Sequence, residues 1–239
     1  MRLKFSALTA LLCALLLAAL ACSSRSGNEN GSSAPAAGGG TVSGGGAAAA
    51  ISPDENPLDV MSKAMRSQLD ARSFRAHIDS TAGDGTSSTS VVEYVAPDRY
   101  RMVVEAKTGG QNVKLEYLVV GGATYIKGPG GRWVKTPVDA GALIRGFRDP
   151  KMLDELRKTT DIKFAGRDTL GGEPMLVYEY TQTNPLGMKM KATSKTWLSA
   201  ADGLPRKTET EGELDGKKTQ TVVTISDYNA DIKIEAPGN

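Results

Sequence analysis

The stretch VAPDRYRMVVEAKTGGQNVKLEYLVVGGATYIK, residues 95–127, decides the fold. Its side chains alternate with period two. Tyr100, Met102 and Val104 fall on one side of an extended chain, with Arg99, Arg101 and Glu105 mostly on the other. After Gly109-Gly110 the pattern restarts, and Val113, Leu115, Tyr117 and Val119 alternate with Lys114, Glu116 and Leu118. Glycine pairs at 109–110 and 121–122 supply the positive φ that tight hairpins need.

The same grammar extends in both directions. Upstream, Phe74, Ala76 and Ile78 alternate with Arg75, His77 and Asp79. Downstream come Leu176, Tyr178 and Tyr180, then Met188 and Met190 against Lys189 and Lys191, and last Val223 and Ile225. Turn signals separate these runs: Ala-Pro-Asp at 96–98, Gly-Pro-Gly-Gly at 128–131, Gly-Gly at 171–172, and Asp-Gly at 202–203 and 215–216. Three helix starts pair a capping residue with proline at the first helical position: Asn56-Pro57, Thr136-Pro137 and Asp149-Pro150. After the first, Leu58, Met61, Met65 and Leu69 form a stripe at helical spacing. The pattern predicts an α+β domain with one large antiparallel sheet and a few helices. Strand twist accumulates over such a meander and curls it. A curled sheet has a concave face, which helices plug or which holds something.

Residues 1–21 read as a lipoprotein signal peptide. Arg2 and Lys4 precede an apolar run that ends in Ala19-Leu20-Ala21-Cys22. That ending is similar to the bacterial lipobox, where cleavage precedes a cysteine that receives diacylglycerol and fatty acyl chains such as palmitate. Ordinary secretion is the alternative. It would leave Cys22 as a single free thiol in an oxidising compartment, because Cys13 departs with the signal. Residues 22–55 then form the lipidated cysteine and a Gly/Ser/Ala linker, too poor in apolar residues to fold. The domain occupies 56–239. Ser23 after the anchor favours the outer membrane, facing the periplasm, in an organism with two membranes.

Cleavage leaves as many basic as acidic residues, 27 of each. There is no electrostatic footprint for nucleic acid. The only histidine, His77, sits among polar neighbours and reads as a surface residue. No zinc site can be assembled from one histidine and one acylated cysteine, and no His-Glu-x-x-His or Gly-x-Ser-x-Gly occurs. Lys107-Thr108-Gly109 lacks a Ser-x-x-Lys partner and reads as a hairpin turn. Glu93, Glu105, Glu116 and Glu179 fall on strands, with solvated strand-face charge as the default. Lys189, Lys191 and Lys195 share a strand face, suited to anionic head groups or, more simply, to a solvated edge. The reading is a non-enzymatic protein without a catalytic residue, metal or cofactor.

Three segments carry a resemblance: VAPDRYRM (95–102), VVGGATYIKGPGGRWVK (119–135) and TWLSAADGLPRK (196–207). In this order, in an anchored exported chain, they are similar to the LolA/LolB superfamily of lipoprotein carriers. The likeness is greatest to lipid-anchored relatives of the LppX/LprG type, over roughly residues 56–236. The resemblance implies a strongly curved, unclosed antiparallel half-barrel with helices over its concave side and an apolar cavity for acyl chains. The residues expected to line it are Tyr100, Met102, Val104, Val113, Leu115, Tyr117, Leu176, Tyr178, Met188 and Met190. Leu143, Ile144 and Phe147 would come from a covering helix. Each serves equally well as closed core.

The expected role is a monomeric, anchored envelope protein that binds a lipid or acylated molecule for transport or sensing. The alternative is a structural or interaction lipoprotein whose hollow its own helices fill. If Cys22 is the anchor, Cys22→Ser moves the protein from the membrane to the soluble envelope fraction and abolishes incorporation of labelled palmitate. Membrane retention of that variant would overturn the assignment.

Overall fold

A computed structural model describes residues 51–239, except Gly109, Pro129, 138–160, 184–189, Asp215 and Asn239. Cys22 and the expected second and third helices lie outside the described residues, as do Leu143, Ile144, Phe147 and Met188.

The first element among the described residues is a helix, α1 (Pro57–Asp70). Asn56 caps it as the sequence predicts, its Oδ1 accepting the Leu58 N–H at 2.9 Å with Pro57 in the first turn. The buried stripe differs from the expected one. Val60, Met61, Ser62 and Ala64 are buried, whereas Leu58, Met65 and Leu69 are only half-buried. Small Ala64 and β-branched Val60 permit a closer approach to the sheet than Leu58 or Leu69 would, so the helix turns that side inward. Thr136, expected to cap the second helix, which lies outside the described residues, ends a strand, and its buried Oγ1 has no hydrogen-bond partner among the described residues.

Eleven strands follow. The first six are β1 (Ser73–Ala82), β2 (Ser87–Val95), β3 (Arg99–Thr108), β4 (Gln111–Val120), β5 (Ala123–Lys127) and β6 (Trp133–Thr136). The rest are β7 (Asp161–Leu170), β8 (Glu173–Thr183), β9 (Met190–Ser199), β10 (Pro205–Leu214) and β11 (Lys217–Ser226). Every turn signal read from the sequence falls between two of them. Gly110, Gly121, Gly122, Gly171, Gly172, Gly203 and Gly216 all take positive φ there. The strands form one sheet in the order β6-β5-β4-β3-β2-β1-β11-β10-β9-β8-β7. Two meanders, β1–β6 and β7–β11, are thus joined by antiparallel pairing of the first strand with the last, Ala76 opposite Ile225 and Ile78 opposite Val223.

The sheet is open, a curved half-barrel as expected rather than a closed barrel. Bulges at Phe164/Gly166 and Pro205/Lys207 break the register and bend their strands. Helix α1 packs on the concave, inner face against Leu176, Tyr178 and Leu198. Ile51 joins that cluster, ahead of the domain start expected at residue 56. After β11 the chain straps the outer face, and Ile232 and Ile234 bury against Leu118 with Val95, Val120, Tyr125 and Trp133 around them. The strap is tied to the start of β1: Ser73 Oγ donates to the Ala230 carbonyl at 2.6 Å, and the Asn229 N–H to the Ser73 carbonyl at 2.8 Å. Among the described residues no helix is long and apolar enough to cross a membrane.

The outer face carries an ion-pair ladder over β1 to β5. Arg75 bonds Glu93 at 3.0 Å and Asp227 at 3.1 Å. Arg101 lies 3.7 Å from Glu93 and 2.7 Å from Glu116, and Lys127 lies 3.0 Å from Glu116. Glu116 is therefore no solvated strand-face charge, being only 8% exposed. The lysine strand also differs from expectation: β9, with Lys191 and Lys195, lies between β8 and β10 and is not an edge. His77 is exposed as predicted, 3.2 Å from Asp79.

Burial pushes the Glu116 carboxyl up, but hydrogen bonds from Arg101 and Lys127 outweigh it and hold the pKa below its ordinary value. A depressed carboxylate pKa contributes stability above the unfolded value, about 4.3, that is lost as pH falls through the folded one. Glu116→Ala is expected to cost about 1–2 kcal/mol in urea unfolding at pH 7, because it removes a nearly buried carboxylate that bridges Arg101 and Lys127, two cations that are themselves more than a third exposed. Lys114→Ala, at the exposed pair with Glu105, should cost under about 0.5 kcal/mol. The difference between wild type and Glu116→Gln should shrink below about pH 4. Equal costs for the two alanine variants would refute the ladder's role.

Candidate functional site

Strand register assigns every inner-face side chain. Across β1 to β4 that face carries Ala76, Ile78, Val92, Met102 and Val104, with Val223 and Ile225 of β11 beside them. Phe74, Tyr100, Leu115 and Tyr117 pack against this first lobe. The second lobe lies over β7, β8 and β9. There Leu176, Tyr178 and Leu198 meet Val60, Met61 and Ala64 of α1, with Ile162, Phe164 and Tyr180 around them.

Between the lobes the inner face changes character. Ser80, Thr221, Thr210 and Ser194 are consecutive register partners across β1, β11, β10 and β9. Their hydroxyls pair, Ser80 with Thr221 at 3.1 Å and Ser194 with Thr210 at 2.9 Å. One step along, Thr196 and Thr208 pair at 3.0 Å. On the other side of the row lie Thr219, Gly212, Ala192 and Gln182. Ser194, Thr196, Thr210, Thr221 and Gln182 are all buried. A buried hydroxyl costs free energy unless hydrogen-bonded, and cross-strand pairing is how Ser194, Thr196, Thr210 and Thr221 meet that cost. Among the described residues, two buried polar atoms on this face have no partner: Gln182 Oε1 and the hydroxyl of Tyr178.

The structure therefore divides the expected lining residues. Tyr100, Met102, Val104, Leu115 and Tyr117 come together in the first lobe. Leu176 and Tyr178 sit across the sheet in the second, under α1. Val113 follows the same inner-face alternation but lies near the β3–β4 turn and is 44% exposed. Met190 opens β9 opposite Leu214. Sequence reasoning missed the hydroxyl band, because Ser and Thr on a strand read as outward-facing. Its signal was present in TSKT (193–196) and KTET (207–210), where small hydroxyl residues alternate with charges.

Burial pushes the phenols of Tyr100 and Tyr117 up, and burial together with the charge of Glu55 does the same for Tyr178. These phenols stay neutral throughout the physiological range. Two surface clefts, of about 330 and 300 Å³, lie along α1 from Glu55 to Arg66 and around the ends of β2, β3 and β4. Polar side chains make up most of both walls, which is not the lining an acyl chain needs. Among the described residues no three His, Cys, Asp or Glu side chains gather as metal ligands.

No family model matches the chain, and no curated protein does either. Solved structures do. LprF from Mycobacterium bovis is 16% identical over 80% of this chain and all of its own, with a TM-score of 0.53. Lipoprotein LppX from Mycobacterium tuberculosis is 11% identical over 74% of this chain and 97% of its own, also with a TM-score of 0.53. At these identities the likeness is one of fold, and it is the fold that the sequence resemblance implied.

Tyr178 is fully buried and its hydroxyl is unpartnered. Tyr178→Phe removes a desolvated group and no hydrogen bond. It should leave stability unchanged or raise it by up to about 1 kcal/mol in denaturant unfolding. A loss above about 1 kcal/mol would mean the hydroxyl has a partner in solution.

Proposed function

We propose that this chain is an envelope lipoprotein, held to a membrane through acylated Cys22, that carries a lipid or acylated molecule on the inner face of its half-barrel. One observation carries the reading. The inner face has a first lobe of Met102, Val104, Leu115 and Tyr117 that α1 does not cover, since α1 packs on the second lobe. Leu115 and Tyr117 are only half-buried. Met102 and Val104 are already dry, but the still-wet parts of Leu115 and Tyr117 gain free energy when an acyl chain removes them from water, at about 25 cal/mol per Å². Methionine and tyrosine also suit a wall that must fit different chains.

The fold shared with LprF and the lipoprotein LppX supports this reading. The separation of roles along the chain supports it too. The anchor fixes position, the Gly/Ser/Ala-rich stretch after it gives reach, and the sheet holds the cargo. No part of the reading needs bond-making chemistry. The chain acts as a binding protein for transport or sensing, working as a monomer in the envelope, at the outer membrane where there are two.

The full chain carrying Cys22→Ser, which keeps its own acyl groups out of the measurement, should take up a fluorescent fatty-acyl probe saturably. It should also release bound lipid in native mass spectrometry. Leu115→Gln and Tyr117→Gln, at half-buried positions, should each weaken probe binding about 5–10-fold with little change in unfolding midpoint. A bare polypeptide that takes up no probe would leave a structural role as the surviving reading.

A further inference from the structure

The segment after β11 is built differently from the strands it crosses. Positive φ at Asp227 and Asn229 turns the chain off the last strand and onto the outer face, and these residue types tolerate that conformation better than most. The turn itself is pinned. Asn229 Oδ1 accepts the Arg72 N–H at 2.8 Å, and Asp227 Oδ2 accepts from Arg75 at 3.1 Å. Beyond it the segment alternates with period two: Ile232 and Ile234 are buried, whereas Asp231, Lys233 and Glu235 are exposed. It nevertheless joins no ladder. Among the described residues, no backbone–backbone hydrogen bond links it to a strand after Asn229. Past Ala230, two isoleucines and one hydrogen bond hold it down, Arg99 Nη1 donating to the Ile234 carbonyl at 2.6 Å. A segment held by so few contacts opens locally before the sheet does.

What the strap holds is the weak end of the first meander. Strands β4 and β5 pair only from Tyr117 opposite Ile126 to Val120 opposite Ala123, and β6 has four residues. Such short ladders have little stability of their own. The strap crosses there, with Ile232 and Ile234 pressed on Leu118 beside Tyr125 and Trp133. Leu118 follows Tyr117 in the chain, and strand alternation sends Tyr117 through to the inner face, where it packs against the first lobe. The position of β4 is thus shared by the strap outside and the lobe inside. We propose that the C-terminal strap is a releasable clasp that sets the curl of β4–β6. Seated, it holds this end of the sheet in place. Released, it frees β4 and β5 to move, and Tyr117 moves with them. Seating of the strap and the shape of the first lobe are then linked equilibria, each biasing the other.

Hydrogen exchange on the full chain carrying Cys22→Ser tests the clasp. Strap amides should exchange faster than those of β8 and β9 in the otherwise wild-type chain. Ile232→Asn with Ile234→Asn unseats the strap. Amides of β4 and β5 should then exchange about 10-fold faster, with β8 and β9 staying within about 2-fold. Arg99→Ala removes only the hydrogen bond and should give the same pattern at about 3-fold, and it carries the test if the double variant does not fold. The fatty-acyl probe should bind the unseated variant about 5-fold more weakly. Acceleration spread evenly over all strands, or none in β4 and β5, overturns the clasp. Selective loosening with unchanged probe affinity overturns its link to the first lobe. A wild type that binds no probe overturns the proposed function instead, and the exchange pattern still decides the clasp.

Discussion

The constraint on which everything else depends is one-sidedness. An eleven-stranded open sheet must keep one face dry across its width while the other carries the charged residues, and strands achieve this only by strict alternation. A one-residue slip anywhere would carry Met102 and Val104 outward and Arg101 and Glu105 inward. The outer-face ion pairs reinforce that register. Arg75 stands directly opposite Glu93, Glu93 opposite Arg101, and Arg101 neighbours Glu116 on β4. Each slip would misalign several pairs at once. The charges therefore hold strand positions more than they add bulk stability, as isolated exposed pairs contribute little.

The inner face is dry without being uniformly apolar. Its lobes are built of long side chains such as Met102, Tyr117 and Tyr178, whereas the band between them is built of Ser, Thr, Ala and Gly. Short side chains stand lower above the sheet than long ones, so the surface dips where β10, β9 and β11 meet. Gly212 is the extreme case: a Cβ there would come within 3.1 Å of the Lys191 carbonyl and 3.4 Å of Thr219 Oγ1. Curvature and side-chain size act together, and the hydroxyl pairs keep the low ground polar without leaving it wholly unsatisfied.

Much of this architecture was legible from residue order. Period-two alternation from Tyr100 to Val119, punctuated by double glycines, located β3 and β4 and their common face. The same reasoning placed Ile78, Tyr178 and Ile225. Three kinds of information were out of reach. Pairing between β1 and β11 joins segments far apart in sequence, and no local pattern encodes it. Strand β10 reads as polar on both sides, since its inner residues are Thr208, Thr210 and Gly212, so hydropathy alone cannot tell its faces apart. The fate of Glu116 depended on Arg101 and Lys127, which only the folded sheet brings to it. Helix α1 was legible in position and cap but not in rotation, because the approach distance set by Val60 and Ala64 decides which side is buried.

The adjacency of the first and last strands has a consequence for how the chain is made. Each meander is a series of near-neighbour hairpins and has cheap loop closures, but the seam between β1 and β11 joins residues such as Ala76 and Ile225. That contact carries a large closure entropy and cannot form until nearly the whole polypeptide has emerged. Two half-sheets thus assemble early, each with a raw edge, and the seam closes last. Ser80 and Thr221 face each other across it, so the floor of the hollow is completed only in the final act of folding. A chain emerging from its N-terminus would complete its sheet no sooner than its last strand arrives.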